Sequence, residues 1–475
     1  MTQPTRLSSR PQFDTLRNQL GHHEGLPFLE ILSRPLVEQA CRHGNHPFRD
    51  RVSTPWVTLG IFLSQILSED QSCDDALEHF QKFRYDPGLP AVASKTTSYC
   101  EARQRLPEEL VRDLVRRTGH AVQHQASDDW LFHGRSVKII DGSTILMPDT
   151  PENQAAYPQL DSQAPGLGFP IARLLVVFSL AVGTVLEAAM GPYQGQQTGE
   201  QALLRQLLDH FRPGEIVLAD RSHCSYWAIA ALQARGVDVV LRLHQARVTD
   251  FRRGCRLGCE DHLVTWTKPT HVPGWMSRAE YEAMPAQLTV REFRVRVRDR
   301  TKRVRELVIV TTLADQASYP ADELGGLFRQ RWDAELYLRT LKTQMHMELL
   351  RTQSPAMVRT EVAVHLLASN LIRGLMAEAA RVAEASPRTL SFQGALHTVR
   401  SFEESHLYDP RWIAADLPRL LELIGQKRVG DRPDRYEPRA VKRRPKPYPR
   451  LSMPRRAAQR LIRRGIRLYE KKIGS

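Results

Sequence analysis

The sequence predicts an α/β protein with a mixed-sheet core, preceded by a helical domain and followed by a helical, basic tail. Three observations lead there. Residues 1 to about 125 carry apolar side chains at helical spacing, residues from Ser136 to Leu243 alternate short β-branched runs with helical stripes, and the surplus positive charge lies at the C-terminal end.

In the first region Trp56, Leu59, Phe62, Leu63, Ile66 and Leu67 recur on one helical face. Ser72 reads as the N-cap of a stripe through Ala76, Leu77, Phe80 and Phe83, and Pro107 opens a further helix through Leu110, Val111, Leu114 and Val115. The pattern then changes. Val137, Ile139 and Ile140 form a strand leading into Asp141-Gly142-Ser143, and Leu174 to Leu180 and Val185 to Met190 form two more strands, as in a meander. Thr198 and Gln201 read as a capping box before the stripe Leu203, Leu204, Leu207, Leu208 and Phe211. Ile216 to Asp220 is a short buried strand ending on an acid, Tyr226 to Ala234 a helix closed by Gly236, and Val237 to Leu243 a fifth strand. The expected order is β-β-β-α-β-α-β.

Residues 244–319 are again β-rich and behave as an insertion, with Val290, Phe293, Val295 and Val297 and then Leu307 to Val310. Glu323 to Glu348 has helical periodicity, and an apolar helix runs from Val362 to about Ala380. The expected regions are thus a helical domain at 1–130, a core at 131–243 and 320–350, the insertion at 244–319, a helical region at 351–425 and the tail at 426–475.

The tail holds 18 Lys and Arg against 4 Asp and Glu, which accounts for the whole net charge of +14. Six prolines between Pro433 and Pro454 favour an extended path, with Arg455 to Lys472 as an amphipathic basic helix. Such a segment suits phosphates, and a solubilising tail is the alternative. The most apolar stretch, Leu174 to Leu186, is too short and too interrupted to span a bilayer, which needs about 20 residues. No membrane partner is expected. The N-terminus lacks the apolar segment of a signal peptide, and six scattered cysteines do not make a disulfide framework, so the cytoplasm is expected. Cys255, Cys259 and His262 could be zinc ligands only with a fourth nearby, and a plain loop is the better reading.

Two acids, Asp141 and Asp220, end apolar strands on the first and fourth positions of this order, where ligand chemistry gathers in open sheets. Singly, each is a common turn opener. Asp149 and Glu152 lie in a turn-forming Met-Pro-Asp-Thr-Pro-Glu segment and carry no assigned role. Phe328, Arg331, Glu335, Arg339 and Lys342 fall along one face of one expected helix, with Trp332 beside them. Surface ion pairs worth about 0.2–0.5 kcal/mol each are the simpler account of that stripe.

The segment Phe328-Arg-Gln-Arg331-Trp-Asp-Ala-Glu335-Leu-Tyr-Leu-Arg-Thr-Leu-Lys342 resembles the Tyr-x2-Arg-x3-Glu-x6-Lys motif of bacterial insertion-sequence transposases of the IS four family, with Phe328 in place of the tyrosine. The resemblance extends through Asp141-Gly142-Ser143, Leu218-Ala219-Asp220-Arg221 and Val240 to Arg247. It implies a ribonuclease-H-like mixed-sheet core interrupted by the β-rich insertion, with Asp141, Asp220 and Glu335 as catalytic metal ligands. Three carboxylates can hold two divalent ions, Mg2+ or in its place Mn2+, for phosphodiester chemistry. Arg331, Lys342, Phe328, Trp332, Arg339, Arg242 and Arg247 would then meet double-stranded DNA, both element ends and target. For Trp332 core packing, and for Arg242 and Arg247 a plain surface role, remain alternatives. The resemblance further implies a homodimer on DNA, a helical N-terminal domain that binds element ends, a helical C-terminal region that dimerises, and a bacterial, nucleoid-associated location. Another ribonuclease-H-like nuclease, or a non-catalytic DNA-binding protein derived from a transposase, are the competing readings.

Overall fold

The computed structural model describes residues 32–48, 53–83, 95–298, 304–406, 413–430 and 451–466. Among the described residues five helices come first: α1 (Arg34–His43), α2 (Pro55–Leu67), α3 (Cys73–Phe83), α4 (Thr96–Arg105) and α5 (Glu108–His124). Ser72 caps α3 as its sequence suggests, its Oγ accepting from Asp75 N at 3.0 Å. Prolines open α1 and α2 at positions where no backbone donor is needed.

The core follows as β1 (Val137–Leu146), α6 (Pro151–Ala156), β2 (Ile171–Ser179), β3 (Val185–Pro192), α7 (Glu200–Leu207), β4 (Ile216–Ala219), α8 (Tyr226–Gln233) and β5 (Asp238–Arg242). Apart from the short α6, in the segment read as turns, this is the expected order. The capping box does not form: α7 starts from Gly199, Thr198 Oγ1 donates to Gly195 O at 3.0 Å, and Gln201 Nε2 donates to Ser222 O at 2.6 Å. Thr198 is used by the preceding turn and cannot also cap the helix.

The insertion supplies β6 (Cys255–Gly258), β7 (Asp261–Thr267), α9 (Arg278–Ala283), β8 (Gln287–Arg298) and β9 (Val304–Thr311). It is not a separate sheet. One nine-stranded sheet runs β3-β2-β1-β4-β5-β9-β8-β7-β6, joined through antiparallel β5 and β9. Only β1–β4 and β4–β5 are parallel. Cys255 and Cys259 are exposed, whereas His262 is buried with Nδ1 2.6 Å from Arg253 O.

Side chains alternate across this sheet. Val137, Ile139, Val176, Phe178, Ile216, Leu218 and Val240 face one layer of helices, while Ile140, Leu175, Val177, Val217, Ala219 and Val239 face α7 and α8. The first layer contains α5 and the later helices α10 (Ala321–Arg329), α11 (Trp332–Arg339) and α12 (Pro355–Val382). The N-terminal helices therefore share the central core with the sheet. Helices α13 (Phe392–His406), α14 (Ile413–Gly425) and α15 (Arg455–Arg463) complete the order.

Past α14 the chain stays attached, since Ser391 N donates to Lys427 O and Val429 N to Thr389 O. The proline-rich residues 433–450 and the end of the expected tail helix lie outside the described residues. No described helix is long and apolar enough to cross a membrane.

Two buried polar devices fix the layers. Asn370 on α12, fully buried, accepts from Val185 N at 2.7 Å and donates to Val185 O at 2.8 Å and Val115 O at 3.0 Å. It ties α12 to α5 and to the edge strand. Lys138, 1% exposed, places Nζ 2.7 Å from the carboxylate of Glu215, just before β4. Breaking a buried pair leaves an uncompensated charge and costs about 3–5 kcal/mol, whereas apolar replacement of both partners is often neutral. Glu215→Gln should lower stability by about 3 kcal/mol in denaturant unfolding. The double variant Lys138→Met with Glu215→Leu should recover most of that loss.

Candidate active site

The parallel pairing of β1 with β4 sets the site. Val137, Lys138 and Ile139 stand beside Ile216, Val217 and Leu218. Continued by two residues, that register brings Asp141 level with Asp220. By alternation both carboxylates belong to the face of Ile139 and Leu218, beneath α11. The β4–β5 register, Ala219 beside Leu241, carries the same level across to Arg242. Asp220 does end its strand. Asp141 does not: β1 continues to Leu146, because β2 pairs with it past the end of β4, with Asp141 opposite Val176. The aspartate thus sits where one neighbour of its strand stops and the other persists, a notch in the sheet.

Glu335 comes down from α11. Burial raises the Asp141 carboxyl to about 6, Arg331 and the Gly142 N–H oppose the rise, and the charges of Glu335 and Glu200 add to it. Arg331 is 8% exposed and its guanidinium lies 3.2 Å from Glu335 Oε1. It also acts on buried His223, whose pKa burial lowers while Glu200 and Asp220 push it up. Asp141, Asp220, Glu335, Glu200, Arg331 and His223 therefore share one electrostatic environment.

The single helical face expected from Phe328 to Lys342 is redistributed. The helix breaks after Arg329, and Gln330 to Ala334 make i to i+3 hydrogen bonds, Asp333 N to Gln330 O and Ala334 N to Arg331 O. After α11 a π-helical turn spans Thr340–Gln344. A tightened turn followed by a widened one changes the angle per residue, so even spacing no longer means one face. Phe328 is 6% exposed and packs in the core, whereas Glu335 and Arg339 reach solvent. The π turn brings Lys342 Nζ to 3.4 Å from Ser143 Oγ, over the strand carrying Asp141. Trp332 is 45% exposed beside exposed Leu336, so it is not a core residue. Arg247 lies off this cluster, its guanidinium 3.7 Å from the Trp266 ring.

Four neighbours of the aspartates went unmarked in the sequence: Glu200, Arg173, Ser222 and His223. Glu200 is the first residue of α7, with Arg173 3.6 Å from Oε1 and Ser222 and His223 on Oε2. An acid in the first turn of a helix is ordinary. Only the tertiary contact over Gly142 sets it apart.

As the side chains stand, no three Asp, Glu, His or Cys groups among the described residues are gathered tightly enough to grip a metal ion. Glu335 is turned to Arg331, and Asp141 Oδ1 accepts from Gly142 N at 3.1 Å. The donor set nonetheless fits a hard divalent cation: carboxylate oxygens only, two half-buried on the sheet and one exposed on the helix above, with like charges that a cation between them would relieve. Glu335 is 57% exposed, so its side chain is not held in place by packing.

The family model for the transposase DDE domain matches residues 132–371, from just before β1 into α12. Over 456 residues the chain is 29% identical to the transposase InsG for the insertion sequence element IS4 of Escherichia coli, spanning 92% of this chain and 95% of that protein. Among solved structures it is similar to the piggyBac transposase in its synaptic complex with hairpin DNA, at a TM-score of 0.41 and 10% identity, over 83% of this chain and 84% of that one.

A cation held by these carboxylates should stabilise the fold. Mn2+ at 100 times its dissociation constant should add about 2.7 kcal/mol and raise the melting temperature. In Asp141→Asn the metal-induced rise should disappear.

Proposed function

The chain belongs to the family of transposases with a DDE domain, and from that premise we propose that Asp141, Asp220 and Glu335 are its three catalytic carboxylates. It is a DNA transposase of the insertion-sequence type, a polynucleotidyl transferase and nuclease. The observation that carries the residue assignment is the level register of Asp141 and Asp220 on parallel neighbours, with Glu335 acting on Asp141 from the helix above. The three-strand meander, the parallel β4 and β5, and the helices on both faces support a ribonuclease-H-like core, with β6 to β9 as an extension of its sheet edge.

Asp141, Asp220 and Glu335 would hold divalent ions, Mg2+ being the natural choice and Mn2+ a substitute. When bound, such ions activate an attacking oxygen and stabilise the leaving one. The protein's own groups do the rest. Arg331 pairs with Glu335, and its guanidinium offsets the negative charge of the partly buried Asp141. Lys342, over Ser143, presents a point charge to a phosphate, and Arg242 offers a bidentate fork at the level of Asp220. Trp332 and Leu336 give an exposed apolar surface on which a base can stack beside Glu335. Arg339 lies on the exposed side of the same helix and Arg247 farther out on the insertion, both suited to backbone phosphates. Phe328, buried, acts on DNA through the packing of α10 and not by touching it.

The substrates are the terminal inverted repeats of the element and a target duplex. The N-terminal helices bind element ends, the α12 to α14 region dimerises, and a homodimer acts on synapsed ends. In the cell the protein works in the cytoplasm, on the nucleoid.

Asp141→Asn, Asp220→Asn and Glu335→Gln should each abolish metal-dependent strand cleavage at an element end and leave end binding within a few-fold of the parent. Substantial cleavage by one variant removes that residue from the set. The basic tail should act separately. Truncation after Gly430, which spares the Lys427 and Val429 backbone bonds, should flatten the dependence of log affinity on log salt by about 0.9 for each phosphate no longer neutralised. Equal slopes would leave the tail with no part in DNA binding.

A further inference from the structure

Glu200 makes more contacts to the aspartate-bearing segments than its place at the start of α7 requires. Its carboxylate lies over the backbone of Gly142, the residue after Asp141, so closely that a Cβ on that glycine would stand 2.7 Å from Glu200 Cδ. Its Oε2 accepts from Ser222 Oγ at 3.3 Å and lies 3.6 Å from His223 Nε2, two and three residues after Asp220. Its Oε1 is 3.6 Å from Arg173, on β2 across from the far half of β1. One carboxylate thus touches the chain just beyond both aspartates and the strand that supports the first of them. His223 is 3% exposed with its Nδ1 buried and unpartnered, and Arg173 Nε is likewise buried without a partner. The arrangement keeps hydrogen-bonding capacity at the site unspent.

We propose that Glu200 is a fourth carboxylate of the catalytic centre, a positioning residue that fixes the segments carrying Asp141 and Asp220 relative to each other. The inference rests on the reading of those aspartates as metal ligands. It accounts for a glycine at position 142, since any side chain there would displace the carboxylate. It also accounts for the α7 N-terminus ending at the sheet notch and not farther along β3. Glu200 does not take part in bond making. It acts through the backbone of Gly142 and through the short turn Arg221–His223 that follows Asp220.

Groups behind metal ligands typically cost 10- to 100-fold in affinity or activity when removed. The test uses full-length protein and an element-end duplex, with Glu200→Gln, Glu200→Ala and Asp141→Asn compared in parallel. Glu200→Gln should keep the parent melting temperature and end affinity while Mn2+ affinity, read by electron paramagnetic resonance, and single-turnover cleavage each fall about 10- to 100-fold. Gly142→Ala should reproduce that loss in the parent and add little in a Glu200→Ala background, where the methyl has room. Parent-level Mn2+ affinity and cleavage in Glu200→Gln would overturn the proposal, and so would losses matched by a drop in melting temperature. If Asp141→Asn still cleaves, the assignment of the aspartates fails instead. An inactive Asp141→Asn beside a fully active Glu200→Gln sinks only the role of Glu200.

Discussion

The site depends on one pairing, the three-residue parallel ladder between β1 and β4. Its register is held by more than hydrogen bonds, because Lys138 on β1 reaches Glu215 at the foot of β4 with both side chains buried. A slip by one residue would separate the two charges in a medium that cannot solvate either. With the register fixed, the backbone alone sets Asp141 and Asp220 level on one face. The pair is costly to bury and specifies position, which fits the view that buried ionic groups contribute more to uniqueness than to net stability.

The rest of the centre is added from the helical layers. α11 supplies Glu335 from one side, and α7 supplies Glu200 from the edge. Electrostatically the cluster is unfinished: carboxylates from opposing elements face one notch, burial pushes that of Asp141 to about 6, and the charge of Arg331 acts on both Glu335 and Asp141. Like charges held close by a rigid scaffold form a receptor for a cation, since the repulsion built into the fold is returned when the ion arrives.

How much of this was legible in the sequence follows from which features are local. The strands were readable because Ile216 to Ala219 is apolar on both faces and Val137, Ile139 and Ile140 are β-branched and apolar around the one charged residue, Lys138, as strands covered by helices tend to be. The cap at Ser72 and Pro107 at the start of α5 were likewise local. The end of β1 was misread, because Gly142 and Ser143 look like a turn while the pairing that extends the strand comes from β2, some 30 residues later. The spacing from Phe328 to Lys342 named the right helix but not its faces, since the tight turn at Gln330–Ala334 and the π turn at Thr340–Gln344 leave no mark in apolar periodicity. The insertion was legible as β-rich, but its junction with the core sheet through β9 and β5 was not, because that pairing is also non-local. Glu200 was invisible for the same reason.

The central claim is that Asp141, Asp220 and Glu335, far apart in the chain, share one metal site. It is tested most directly by loading the full-length protein, bound to an element-end duplex, with Fe2+ and letting ascorbate and peroxide generate hydroxyl radicals at the bound ion. Backbone scission mapped by mass spectrometry should fall in three places, around Asp141, around Asp220 to His223 and around Arg331 to Glu335, and excess Mg2+ should suppress all three together. Scission at only one of these segments, or elsewhere in the chain, would contradict the account.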